Sequence, residues 1–170
     1  MFYMESFLQF FASFFVGVLI VEPFSFQPGS TLAQLQAFIE EKNSPIPAQE
    51  LIKYDNWPMV LAVSAAESGY GKHMTGEFNA WGIKDFRKGS EDFGITRNFE
   101  SWNESVKYAS ELLYKYDPED GMPSARAMVG RWKYVPPYQH WINNVNYALF
   151  DIERNVSFGF RKPSLLLPFS

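Results

Sequence analysis

The sequence predicts a mainly helical domain that follows an apolar N-terminal segment. Apolar residues recur at helical spacing in several stretches, and prolines and glycines separate these stretches. Between them, residues 76–98 are rich in glycine and aromatic residues and have no helical period, so we expect loops or short strands there. The chain has 170 residues, of which 46% are hydrophobic, enough for a packed core.

Composition excludes several classes of function. Fifteen Lys and Arg against 19 Asp and Glu give a net charge of −4, which argues against nucleic acid as the main partner. The chain has no cysteine, and this excludes disulfides, Cys-ligated zinc, iron–sulfur clusters and thiol catalysis. The two histidines, His73 and His140, are too few for a His-rich metal site. We therefore expect neither a metal nor a cofactor.

The N-terminal segment is apolar and lacks basic residues. Residues 7–21 read FLQFFASFFVGVLIV, and the first Lys or Arg is Lys42. A membrane-spanning helix needs about 20 apolar residues, whereas the apolar core of a signal peptide has about 7–15. We predict that residues 1–21 form a signal sequence or a membrane anchor; the alternative is a Phe-rich core helix of a soluble protein. Residues 22–30, EPFSFQPGS, are expected to be an extended linker.

The predicted globular domain covers residues 31–155, and residues 156–170 are expected to be a C-terminal tail. The most apolar helix starts near Pro58, a residue suited to a first turn, and stops at Gly69. Another helix opens at Ser101, where Glu104 completes a capping-box pattern. Helices are expected at 31–42, 47–54, 58–68, 101–116, 124–132 and 137–155.

Glu67 is the residue whose position suggests chemistry. It lies four residues after Val63 and seven after Val60, so it continues a stripe that should face the interior. It also falls in the last turn of its helix, at the negative end of the macrodipole. Both effects should raise the pKa of its carboxyl, and a carboxyl still protonated near neutral pH is what a glycosidase needs. The alternative is a solvent-exposed glutamate, or one paired with Lys72 or Lys84.

Two motifs around Glu67 carry a family resemblance. Residues 65–72 read AAESGYGK and residues 78–84 read FNAWGIK. In this order they resemble the peptidoglycan glucosaminidases of glycoside hydrolase family 73, which belong to the lysozyme-like superfamily. That family has the pattern A-x-x-E-S-G-(W/Y)-G followed by N-L-F-G-I-K, and here Ala80 and Trp81 replace the Leu and Phe.

Two further segments extend the resemblance over about residues 57–153. Residues 97–101, RNFES, look like the family's F-R-x-Y-x-S helix start, and residues 134–138, YVPPY, resemble its Y-A-T-D-P-x-Y turn. The resemblance implies a two-lobed lysozyme-like fold, in which Glu67 is the general acid at the base of a cleft. The smaller lobe would be irregular or contain short strands.

The resemblance also implies roles for other residues. Ser68 would hold the carboxyl or the backbone in place, Asn79 would bind an N-acetyl group, and Trp81 would stack on a sugar. For each of these residues a structural role is the alternative: a helix-end serine, a turn residue and a core tryptophan. Tyr134 and Tyr138 match the family's cleft tyrosines, and for these two residues the alternative is packing in the aromatic core. The full assignment comprises catalytic Glu67, Glu91 and Tyr134, with substrate contacts from Ser68, Tyr70, Asn79, Trp81 and Tyr138.

The sequence departs from the family at the second carboxylate. The family hydrolases carry another acidic residue on a hairpin-bearing lobe, and only residues 85–96, DFRKGSEDFGIT, are available for it here. The candidates are Asp85, Glu91 and Asp92, and none lies in a recognisable motif. If no partner is present, a single-acid route remains, as in the lytic transglycosylases of the same superfamily.

The expected function is therefore cleavage of peptidoglycan glycan strands by glucosaminidase-type hydrolysis, without a cofactor. A lytic transglycosylase or muramidase that uses Glu67 alone is the first alternative, and a non-catalytic glycan-binding module is the second. A purely structural helical domain in a membrane complex is a third. An exported protein, in the periplasm or facing the cell wall and tethered through residues 1–21, would meet this substrate.

Overall fold

The computed structural model describes residues 28–91 and 94–158, and these contain five α-helices joined by turns and loops. The prediction of a mainly helical protein is confirmed. These two ranges hold no β-strand; two isolated bridges, Lys84 with Thr96 and Val129 with Lys133, are the only β-pairings in them. No helix in the described part is long and apolar enough to cross a bilayer. The segment 1–21 and most of the predicted tail, 159–170, lie outside it.

Helix α1 spans Pro28–Glu41 and starts earlier than expected. The prediction that residues 22–30 are a linker is wrong for 28–30, because proline and its neighbours are tolerated in a first helical turn. The helix buries Leu35, Phe38 and Ile39. It ends where Asn43 takes a left-handed conformation at φ 53° and the Ser44 N–H donates to the Ile39 carbonyl at 3.0 Å.

Helix α3, Trp57–Ser68, is the central element, and the short helix α2, Ala48–Leu51, precedes it. Every residue from Trp57 to Ser64 is buried, as its apolar sequence predicts. Gly69 ends the helix at φ 60°, a conformation that glycine adopts without steric cost.

Helices α4, Trp102–Tyr114, and α5, Gln139–Asn155, complete the framework. Ser101 caps α4 by accepting the Glu104 N–H at 3.2 Å, as the capping box predicts. The buried stripe of α5 packs against α3 in the most extensive helix–helix contact of the described residues; it comprises Trp141, Ile142, Val145, Ala148 and Ile152.

Two further predictions are wrong, one about a helix and one about the start of the C-terminal tail. Residues 124–132 form turns rather than a helix, since Gly130 adopts φ 87° and its N–H turns back to the Lys133 carbonyl. The tail does not begin at 156: Val156 is buried, and the Phe158 ring packs edge-on against Trp57 at 5.2 Å. Apolar side chains in this segment complete the core beside α3, so the packed domain extends at least to residue 158.

Candidate active site

Glu67 lies in the last turn of α3 with its side chain half-buried. The indole N–H of Trp141, near the start of α5, donates to Glu67 Oε1 at 2.8 Å. None of the ion pairs among the described residues includes Glu67. The ammonium of Lys84, one of the two expected partners, instead donates to Thr96 Oγ1 at 2.9 Å.

The electrostatic environment of Glu67 favours its neutral form. Burial raises the pKa of the carboxyl above its usual range, and this effect outweighs the three that oppose it. The Trp141 hydrogen bond, the positive charge of Lys133 and the indole of Trp132 each lower the pKa. The sequence-based prediction of a raised pKa is confirmed in direction. Such a carboxyl retains its proton to higher pH than an exposed glutamate.

Gly82 brings the backbone close to the other oxygen of this carboxyl. It adopts φ 62°, and a Cβ atom added to it would lie 3.6 Å from Glu67 Oε2. Without a side chain at this position, the peptide chain approaches Oε2 and leaves space beside it. The glycine of the FNAWGIK motif therefore shapes the immediate surroundings of the acid.

Ser68 connects the end of α3 to the loop that carries Gly82. Its buried hydroxyl donates to the Ala80 carbonyl at 2.6 Å and accepts the Gly71 N–H at 2.9 Å. A hydroxyl with these partners is not available to substrate, so the prediction that Ser68 contacts substrate is wrong. The expectation that it holds the backbone in place agrees with these contacts.

Asn79 and Trp81 lie in the core rather than on a cleft floor. The Asn79 amide donates to the carbonyls of Ile83 and Arg97 at 2.8 and 2.7 Å and accepts the Ile83 N–H at 3.0 Å. Trp81 is 1% exposed, and its indole N–H donates to the Val60 carbonyl at 2.8 Å. The predicted sugar contacts are wrong for both, because their polar atoms are used internally and a buried ring cannot stack on a ligand.

The three tyrosines occupy different places. Tyr70 follows the end of α3 and packs edge-on against Phe38 of α1 with 6.0 Å between ring centroids. Tyr134 is 59% exposed, and its carbonyl accepts the Tyr138 hydroxyl at 3.2 Å. Tyr134 directly follows Lys133, so the loop that carries both tyrosines also contributes a charge that acts on Glu67. Of this loop, Trp132 and Lys133 are the residues that act on Glu67, and none of the three tyrosines is among the groups that shift its pKa.

No second carboxylate of the described residues is among the influences on the Glu67 pKa. Asp85 is buried and bound by the Arg87 guanidinium, which holds the pKa of that carboxyl well below its usual range. Glu91 is exposed, and nothing in the described residues links it to Glu67. Asp92 lies outside these residues. The described side chains also contain no cluster of His, Asp and Glu able to hold a metal ion.

Sequence reasoning missed three neighbours of the acid: Trp132, Lys133 and Trp141. Trp141 belongs to the buried stripe of α5, and helical spacing alone indicates a core residue there. The available signal was chemical: a buried tryptophan usually needs an acceptor for its indole N–H, and a half-buried carboxyl is one.

Comparison of the chain with protein-family models, with curated proteins and with solved structures gave no match.

Proposed function

We propose that this protein cleaves the glycan strand of peptidoglycan, with Glu67 as the general acid. The observation that supports this most directly is the half-buried Glu67 carboxyl, with its pKa raised by burial and one oxygen held by Trp141. A glycosidase acid has to be protonated before the reaction and oriented towards the glycosidic oxygen. Burial favours the protonated form of Glu67, and the hydrogen bond holds one oxygen of its carboxyl in place.

The hydrogen bond also decides which oxygen carries the proton. In a neutral carboxyl the carbonyl oxygen is the better acceptor, so the Trp141 N–H bonded to Oε1 directs the proton to Oε2. Oε2 is the oxygen that faces Gly82, where no side chain fills the space. A glycosidic oxygen placed above Gly82 would receive this proton as the C–O bond breaks.

Glucosaminidase-type hydrolysis is the reaction that the motifs favour. In this route Glu67 protonates the leaving oxygen, and water adds to the anomeric carbon after losing a proton to a base. The lysozyme-like two-lobed arrangement belongs to the same proposal, with the helices as one lobe and residues 76–98 as the other. Tyr134 is a proposed contributor to catalysis and Tyr138 a proposed substrate contact, on the strength of the motif resemblance. Glu91 lies in no recognisable motif and is a proposed contributor as an acidic residue of the segment available for the second carboxylate.

A single-acid lytic transglycosylase or muramidase is the second candidate. It is favoured by one observation: no carboxylate of the described residues is among the groups that shift the Glu67 pKa, whereas an inverting hydrolase needs two carboxyls about 6.5–9.5 Å apart. In the transglycosylase route the Glu67 carboxylate, having given up its proton, takes one from a hydroxyl of the substrate. That hydroxyl attacks the anomeric carbon and forms an anhydro sugar.

The location follows from the substrate. Peptidoglycan lies outside the cytoplasm, so the proposal includes export to the periplasm or cell wall, with residues 1–21 as signal or anchor. Glycan strands are the proposed partner, without a cofactor, metal or nucleic acid.

Digestion of purified sacculi with mass spectrometry of the products tests the proposal. Reducing GlcNAc ends indicate the glucosaminidase, reducing MurNAc ends a muramidase, and anhydro ends a transglycosylase. Glu67→Gln should lower product release by roughly 10²- to 10⁴-fold. Glu111→Gln, at an exposed glutamate on α4, is the matched control and should digest normally. If the wild-type protein binds sacculi but releases nothing, the protein is a glycan-binding module and the enzyme proposal fails.

A further inference from the structure

A groove of about 210 Å³ lies between the end of α1, the last turns of α3 and the outer face of α5. The groove is open to solvent and smaller than the pockets of roughly 300–1,000 Å³ that hold drug-sized ligands, a size that suits one small ligand such as a monosaccharide unit. We call it the Tyr147 groove; it is lined by Lys42, Tyr70, Asn144, Tyr147 and Asp151 over two alanines.

The floor and one wall of the groove follow from helical spacing. Asn144, Tyr147, Ala148 and Asp151 fall at positions i, i+3, i+4 and i+7 of α5, so they share one face. The small side chains of Ala148 and of Ala65 on α3 lie between the larger lining residues and leave room above the floor. Five of the seven lining residues lie on α3 and α5, and Lys42 and Tyr70 lie in the turns that follow α1 and α3.

The polar lining residues offer both donors and acceptors. Lys42 Nζ and Asp151 Oδ2 lie 2.8 Å apart, and this bond raises the pKa of Lys42, so the ammonium stays charged. Burial raises the pKa of Tyr70 to about 12, so its phenol remains a neutral donor and acceptor. An ammonium–carboxylate pair, an amide and a phenol in one groove offer donors and acceptors of the kind that bind sugar hydroxyl groups.

The aromatic lining residues offer a platform. Tyr147 is 70% exposed although it borders an apolar floor, and a ring in this position can stack on the C–H face of a pyranose. Tyr70 adopts φ 64°, a conformation that is uncommon for residues other than glycine. Backbone strain of this kind concentrates at ligand sites, where the surrounding structure maintains it.

We propose that the Tyr147 groove is a second carbohydrate site, which binds one N-acetylhexosamine unit of a glycan strand. Ala65 in its floor and Glu67 are two residues apart on α3, about 200° around the helix, so the groove and the acid face different directions. The choice of an N-acetylated sugar rests on the proposed function, whereas the presence of a sugar site rests on the groove alone. A second site would hold an insoluble substrate while Glu67 acts on another part of it.

Nuclear magnetic resonance of the Glu67→Gln protein, titrated with the trimer of N-acetylglucosamine, tests this without turnover. We expect amide shifts at residues 65, 70, 144, 147 and 148. Tyr147→Ala should weaken the binding reported by these shifts at least 10-fold. Phe150→Ala is the matched control, because Phe150 is a second exposed aromatic residue on α5, 53% exposed, that does not line the groove. It should leave the affinity unchanged.

The outcomes separate this proposal from the proposed function. Shifts confined to residues near Glu67, or an equal loss of binding in the Tyr147 and Phe150 variants, would overturn the groove as a sugar site. So would the absence of any shift at groove residues when the wild-type protein digests sacculi. Conversely, if the amide signals of groove residues shift but sacculi yield no product, the second site is supported and the enzyme proposal is rejected.

Discussion

The indole N–H of Trp141 donates a 2.8 Å hydrogen bond to Glu67 Oε1, across 74 residues of sequence. It joins the beginning of α5 to the end of α3, the two helices that pack most extensively in the described core. Trp141 is itself buried. One oxygen of the candidate acid is therefore held by a residue of the helical core.

Trp141→Phe should raise the pKa of Glu67 and reduce activity. The hydrogen bond stabilises the carboxylate and lowers the pKa, so removing the donor raises the pKa further above its usual range. Because a general acid works only while protonated, the alkaline limb of the pH–rate profile should move to higher pH. Loss of orientation should lower kcat roughly 10- to 100-fold. A carbon-13 titration of the Glu67 carboxyl measures the pKa independently of any substrate.

Trp57→Phe is the control for this change, since Trp57 is a buried tryptophan at the other end of α3. It should alter stability without moving the carboxyl titration. If both variants shift the titration equally, the Trp141 hydrogen bond does not set the Glu67 pKa.

Gly82→Ala should impair catalysis more than its effect on folding explains. At φ 62° an alanine costs about 1–2 kcal/mol in free energy of unfolding, and its Cβ would lie 3.6 Å from Oε2. The methyl group would occupy space that the glycosidic oxygen needs, so we expect product release to fall by roughly 10-fold or more.

Gly89→Ala provides the comparison, because Gly89 adopts φ 84° with no atom within 4 Å of an added Cβ. It should show a similar loss of stability in urea unfolding but digest sacculi as the wild type does. Equal activity of the two variants would contradict a role for the space beside Gly82.

Ser68→Ala should destabilise the protein by about 1–3 kcal/mol, measured by chemical denaturation. The change leaves the buried Ala80 carbonyl and the Gly71 N–H without their hydroxyl partner. Ser64→Ala removes a hydroxyl bonded only within α3, to Leu61, and should cost less than about 1 kcal/mol. Similar costs for the two changes would mean that the link between α3 and the loop contributes little.

Local signals were predictable from the sequence. The capping of α4 by Ser101 needs residues only three positions apart, and the termination of α3 at Gly69 needs one residue without a Cβ. The burial of Glu67 followed from its spacing to Val60 and Val63, because a helix repeats its faces every few residues. These features depend on chain geometry over one or two turns.

Non-local features were not predictable. The motif residues Asn79 and Trp81 were expected to contact sugar, but the Ser68 bond to Ala80 and the Trp81 bond to Val60 hold this loop against α3. Residues 124–132 have helical apolar spacing, yet Gly130 at φ 87° turns the chain there. In each case a contact with a distant element, or a backbone reversal, outweighs the local pattern.

The sequence by itself determined the helical framework and the position, at the end of an apolar helix, of a carboxyl whose pKa is raised by burial. It could do so because periodicity and helix-end signals act over a few residues. Only the tertiary structure decided which groups surround that carboxyl. Trp132, Lys133 and Trp141 reach it because α5 and the preceding loop pack on α3. Side-chain contacts between elements far apart in the chain depend on how the whole core closes, and no short pattern encodes that.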